Sequence, residues 1–173
     1  QFDVRDGKDF ISGSGRNEPE GMLTNSEVGF TASGNASAIT ADGLINLTYG
    51  IKGAYARNGK FLMKRDTVRQ IRLLKDGQNN YLWHESYRSG EPATLLGYPI
   101  YECPDMPSVA ADAFPVLFGD IYRAYLIVDR KQIEIQRLVE KYVNTGHIGF
   151  HVRKRDDGQV VLAEAIRKLK IAA

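Results

Sequence analysis

The sequence predicts a mixed α+β fold, and three observations lead there. Leu44, Leu47, Ile51 and Tyr55, then Val68, Ile71 and Leu74, recur at the three- and four-residue spacings of a helix face. Short apolar runs of strand length lie around them at 61–63, 95–101, 116–118, 124–128 and 133–135. The two kinds of segment do not alternate regularly, which argues against a doubly wound nucleotide fold. The composition is that of a globular chain: 173 residues, 43% hydrophobic and 25% charged. That length suits one domain, or one and a small part of another, and can bury a real core. No apolar run approaches the ~18 residues of a membrane helix, so no membrane partner is expected. The single cysteine, Cys103, excludes an internal disulfide.

The elements follow in order. Residues 11–37 read as loop, with Gly13, Gly15, Pro19, Gly21, Gly29 and Gly34 among many Ser, Thr and Asn. Asp42 can cap the first helix, and Asn58-Gly59 supplies its stop. Residues 61–63 form a buried strand. Asp66 or Thr67 can cap the second helix, with Gly77 placed as a left-handed cap beyond its end. A polar loop over 78–92 is anchored by Tyr81-Leu82-Trp83. The run at 95–101 is a strand interrupted by Gly97 and Pro99, and 102–113 is loop. Three strands follow, at 116–118, 124–128 and 133–135. The alternation of 147–155, the pair Asp157-Gly158 and the run 160–162 predict a hairpin. The pattern at 165–171 fits a helix or a strand.

Charge is uneven. Residues 1–150 hold 17 basic and 18 acidic groups, whereas 151–173 hold 6 and 3. The first thirty residues carry six acids against three bases. Residues 60–75 carry Lys60, Lys64, Arg65, Arg69, Arg72 and Lys75 against Asp66 alone. This is local asymmetry, not the overall basicity of a dedicated nucleic-acid binder. Opposite patches on one chain suit contacts between copies of it. Arg65, Arg69 and Arg72 share a helix face that could meet phosphates, an acidic patch of a neighbouring copy, or water.

No catalytic constellation assembles, so an enzyme is not expected. Gly13-Ser14-Gly15 lacks the Gly-Lys-Ser/Thr that a phosphate loop needs, and reads as a turn-rich connector. His147 and His151 would share a helix face, but their surroundings predict a strand, where four residues span roughly 13 Å. His84 lies in the polar loop. Cys103 has no local nucleophile signature and reads as structural. Asp156-Asp157 reads as a solvated turn. Neither a metal nor a cofactor is expected. Asn35-Ala36-Ser37 and Asn46-Leu47-Thr48 match the glycosylation triplet, which often arises by chance, and glycosylation is not expected. The start at Gln1 is expected to mark a fragment or processed product.

The order of several segments adds a resemblance. Phe10-Ile11-Ser12-Gly13-Ser14-Gly15 and Glu18-Pro19-Glu20-Gly21-Met22-Leu23-Thr24 open the series. The stretch from Ala54 to Met63, Leu73-Leu74-Lys75-Asp76 and Tyr81-Leu82-Trp83 continue it. Leu95-Leu96-Gly97-Tyr98-Pro99-Ile100, Met106-Pro107, Leu117-Phe118-Gly119-Asp120 and Tyr125-Leu126-Ile127-Val128-Asp129-Arg130 complete it, with the ending 163–169. Together they resemble the major capsid proteins of tailed phages, which have the Hong Kong 97-type fold.

The resemblance implies a structural, non-catalytic subunit of an icosahedral shell, of a phage, prophage or gene-transfer particle. Such subunits form pentamers and hexamers around double-stranded DNA without reading its sequence. It implies a chain covering about the C-terminal half of a family member, without the N-terminal arm, extended loop and spine helix. The expected division is a lead-in over 1–24, the axial domain over 25–130, and the C-terminal strands of the peripheral domain over 131–173. It makes 166–171 a strand. It places Asp105, Met106, Pro107 and Ser108 in a loop near the capsomer axis, and with Arg65, Arg69 and Arg72 these are the expected inter-subunit contacts. Scaffold, protease, portal and decoration proteins are implied partners, and the location is the virion capsid, assembled in the bacterial host cytoplasm. Some members crosslink a lysine of the extended loop to an asparagine of the peripheral domain. Asn144 lies near that region, but crosslinking is not expected. The competing readings are an encapsulin-like compartment shell and a nucleic-acid-binding module.

Overall fold

A six-stranded mixed sheet and a two-stranded ribbon organise the described residues. The computed structural model describes residues 2–82, 94–138 and 146–172. In chain order the elements are α1 (Phe2–Ser12), β1 (Phe30–Ala32), α2 (Ala41–Tyr49), α3 (Gly53–Ala56), β2 (Lys60–Met63) and α4 (Arg65–Arg72). There follow β3 (Thr94–Leu95), β4 (Tyr98–Glu102), β5 (Val116–Gly119), α5 (Ile121–Ala124), β6 (Tyr125–Leu138), β7 (Gly149–Val160) and β8 (Ile166–Lys170). The strand order of the main sheet is β1-β8-β5-β2-β4-β3. The β1–β8 and β2–β4 pairs are parallel, and the others are antiparallel.

The sheet has a core on each face, and β5 shows why. All four of its residues are buried. Successive strand residues point to opposite faces. Val116 and Phe118 join Leu44, Leu47, Phe61, Met63, Val68 and Ile71 beneath α2 and α4. Leu117 joins Ile11, Met22, Met106, Tyr125, Val160 and Ile166 on the other side. A strand covered on both sides reads as an unbroken apolar run, as 116–118 does. Phe118 packs tilted against Phe61 and edge-on against Tyr98, with ring centroids at 4.6 and 4.9 Å.

Several sequence expectations need correction. The first helix is two helices. α2 is capped by Thr40, whose Oγ1 accepts from the Gly43 amide at 3.0 Å, and not by Asp42. It stops at Tyr49, and α3 restarts after an extended Lys52. The apolar spacing crosses the break because Ile51 stays in the core. α4 begins at Arg65, and neither Asp66 nor Thr67 caps it; Lys64 stands at its N-cap. Gly77 is not a left-handed cap. The chain beyond α4 is turned instead by the Asp76 carboxylate, which accepts from the Gln78 and Asn80 amides at 2.8 and 2.9 Å. The run at 95–101 is a hairpin of β3 and β4, with Leu96-Gly97 as its turn.

The largest difference lies in the ribbon. Ala124 closes α5, residues 125–128 and 133–135 are parts of one strand, β6, and 149–160 is one strand paired to it. Asp157-Gly158 lies in mid-strand, opposite Val128 and Ile127. Gly158 marks a close approach: a Cβ there would stand 2.4 Å from the Tyr125 hydroxyl. A helix, α1, and a short strand, β1, stand where the sequence predicts a lead-in and loop. The strand at 166–170 is present, but it sits in the main sheet between β1 and β5, not beside the ribbon. The expected boundary at 130 also falls inside β6.

Candidate functional site

The two surfaces expected from sequence lie side by side. The loop after β4 leaves the sheet with the Cys103 amide bonded to the Met63 carbonyl at 2.9 Å. Met106 turns inward and is only 1% exposed, packed in the second core. It is therefore a structural anchor of this chain, not an outward contact. Asp105 and Pro107 are half-buried and Ser108 is exposed. The Lys64 ammonium donates to the Ser108 hydroxyl at 3.3 Å, which places the loop against the start of α4.

Arg65, Arg69 and Arg72 are exposed on α4, opposite the buried Thr67, Val68 and Ile71. They are not equivalent. Arg69 donates twice to one Asp66 oxygen, at 3.1 and 2.8 Å, while Gln70 donates to the other at 3.0 Å. The bonds from Arg69 and then Gln70 hold the Asp66 carboxyl below its usual range. Much of the Arg69 charge is thus answered within its own helix.

A second basic surface escaped the sequence reading. A groove of about 930 Å³ lies between the α3–β2 connection, the β3–β4 hairpin and α5. Arg57, Lys60 and Arg123 line it, with Tyr98, Tyr101 and Tyr122. The Tyr122 side chain is 93% exposed. The Lys60 ammonium sits over the Tyr101 ring, 5.1 Å from its centroid. Asp120 forms the buried floor; Arg123 Nε stands 3.5 Å from its Oδ2, yet that oxygen accepts no hydrogen bond. These residues lie far apart in sequence, so no local motif marked them.

A further groove of about 450 Å³ is acidic. Glu18, Glu20 and Asp157 line it, with no lysine or arginine among its lining residues. The segment beneath it is tied to α1 by bonds from Gly21 to Gly13, Met22 to Phe10 and Leu23 to Ile11, at 2.9–3.1 Å.

The ribbon carries a third surface. Directly paired residues of antiparallel strands share a face. Ile135 faces Val152 and Arg137 faces Phe150, with Ile133 on the same side. Ile135 and Phe150 are 66% and 65% exposed. The opposite face pairs Glu134 with Arg153 and Gln136 with His151. A two-stranded ribbon is marginal alone in water, so an apolar face of this kind needs cover.

Cys103 is half-buried against the second core. His151 is exposed in β7 and His147 lies before that strand. Among the described residues, no group of three or more His, Cys, Asp or Glu side chains could hold a metal. No described helix is long and apolar enough to cross a membrane. Asp156 and Asp157 lie in a strand, and Asp156 pairs with Lys154 at 3.3 Å. Trp83, His84 and Asn144 lie outside the described residues.

An exposed cluster adjoins α3. Glu164 accepts from Lys52 at 2.5 Å and Tyr55 at 2.7 Å. The bond from Lys52, then that from Tyr55, lowers the Glu164 carboxyl, and the same carboxylate raises Lys52.

Among the described residues the geometry presents built surfaces and brings together no set of catalytic groups. The family model of the phage capsid family matches residues 1–171, and the chain belongs to that family. It is similar to the capsid of an empty GTA particle, computed with C5 symmetry, at 33% identity and TM-score 0.88. The match covers 99% of this chain and 63% of that one. The capsid of the native GTA particle gives 33% identity and 0.89, covering 99% and 62%. The holo-SrpI encapsulin of Synechococcus elongatus PCC 7942 shares the fold at 14% identity and 0.69, covering 98% and 61%. The chain thus spans less than two thirds of these proteins' lengths. No curated protein sequence matches it significantly. The fold is of the Hong Kong 97 type.

Proposed function

We propose that this chain belongs to the structural subunit of an icosahedral phage or prophage capsid, which assembles into pentamers and hexamers around DNA. The observation that carries this reading is the capsid-family match over residues 1–171. The exposed apolar face of the ribbon supports it, since such a face suits burial in an assembly. The main sheet, with β8, corresponds to the axial domain, and the β6–β7 ribbon to the peripheral domain. Asp105, Pro107 and Ser108, with Arg65, Arg69 and Arg72, form an inter-subunit surface held together by the Lys64–Ser108 bond. Met106 supports that loop from within. The DNA would be held without sequence readout, as charge on a lining surface allows. Scaffold, protease, portal and decoration proteins are the proposed partners, and assembly takes place in the bacterial host cytoplasm.

The test is to purify particles of the full-length protein, treat them with nuclease, and analyse what stays protected. Protected double-stranded DNA is the expected result. Protein cargo without DNA would replace this reading with the compartment shell. A monomer that binds DNA tightly, with steep salt dependence, would replace it with the nucleic-acid module.

A further inference from the structure

Two grooves of opposite charge lie on the molecule with no lining residue in common. The first carries Arg57, Lys60 and Arg123 around the tyrosines Tyr101 and Tyr122, with Asp120 in its floor. The second carries Glu18, Glu20 and Asp157, with no lysine or arginine among its lining residues. Their formal charges are +2 and −3, counting these lining groups.

We infer that the basic, tyrosine-lined groove receives the acidic groove's edge of a second copy of this chain. The inference rests on the shell reading and names one contact within it. Three features support it. Tyr and Arg are the residue types that most often carry the energy of protein contacts. Tyr122 lies almost wholly outside the body, where a monomer gains nothing from it. The two patches are complementary in sign, which fixes orientation and disfavours like-with-like pairing. Because the patches differ, the contact is head-to-tail, and repeating it about an axis generates a ring.

Nucleic acid is the rival occupant of a basic groove with tyrosines. The acidic counterpart on the same chain favours a second copy.

The test uses particles assembled from a mixture of isotope-labelled and unlabelled full-length protein. A carbodiimide joins amines to carboxylates in direct contact, and mass spectrometry reads which copies are joined. The expected result is Lys60 linked to Glu18, Glu20 or Asp157 across a labelled and an unlabelled copy. Particles in which Lys60 links to no carboxylate, or only to others, would overturn the contact and leave the shell reading standing. Absence of particles from the wild type would overturn both. A second measurement uses charge reversal. Arg57→Glu with Arg123→Glu, and separately Glu18→Lys with Asp157→Lys, should each reduce particle yield at least tenfold. The four changes together should restore it. Yields unaffected by either pair, or a combined variant no better than the pairs, would overturn the inference. DNA protected from nuclease equally by all variants, with unchanged assembly, would assign the groove to another role.

Discussion

Tyr125 joins three parts of the molecule through one side chain. Its ring meets Phe10 edge-on at 5.9 Å, and its hydroxyl donates to the Glu20 carbonyl at 2.7 Å. Burial, then the charges of Asp157 and Glu20, pushes the phenol well above its usual value of 10. In the unfolded chain the phenol ionises near pH 10, while in the fold it stays protonated. Its contribution to stability is therefore whole below pH 10 and falls as pH rises above it. Lys168 acts in the opposite sense. Its ammonium is buried, donating to the Leu23 and Asn25 carbonyls at 2.8 and 2.9 Å, and burial lowers it below 10.5. Its contribution rises with pH between the folded and unfolded values. Tyr125→Phe should cost about 1 kcal/mol at neutral pH and should lose less stability than the wild type between pH 10 and 11. Denaturant melts at the two pH values check this, and parallel losses would refute it. Gly119 has a φ of +144°, and a Cβ there would stand 2.1 Å from the Ala165 carbonyl oxygen. Gly119→Ala should destabilise by at least about 2 kcal/mol, read from the urea midpoint. The Phe-Gly-Asp triplet was visible in sequence, but not this reason for it. A lysine inside β8 could not be read at all, because its partners are backbone carbonyls more than a hundred residues away.

Among the elements, legibility followed burial. The faces of α2 and α4 and the run of β5 were readable because one-sided or two-sided burial imposes a spacing. α1 was not: charged residues and Gly7 interrupt its apolar positions. β1 was not either, since three residues at a sheet edge carry little pattern. The ribbon misled for another reason. β7 carries glycine and a pair of acidic residues, the usual signs of a turn, yet the pairing runs through Asp157-Gly158 unbroken. Its apolar face gives a prediction at this scale. Ile135→Lys with Val152→Lys should leave the main sheet's stability within about 0.5 kcal/mol, because neither residue joins a core cluster. The same pair should abolish assembly of the full-length protein. Circular dichroism and sedimentation separate the two effects; assembly at wild-type yield would show that the face stays uncovered.

For the whole molecule, uneven charge resolves into discrete surfaces. The basic stretch 60–75 is divided between α4, where Asp66 answers Arg69, and the groove containing Lys60. The acidic N-terminal stretch contributes Glu18 and Glu20 to the opposite groove. The sequence revealed the imbalance and the family. It could not reveal which cations gather, because Arg57, Lys60 and Arg123 meet only through the β2–β5 pairing and the α5 turn that follows it. The same holds for β8, which returns to the main sheet between β1 and β5. The capsid reading requires that these surfaces build a closed shell. Negative-stain electron microscopy of the full-length protein, expressed with any scaffold or protease encoded beside it, tests it most directly. Uniform closed particles of icosahedral outline are the predicted result. A soluble monomer under those conditions would contradict it.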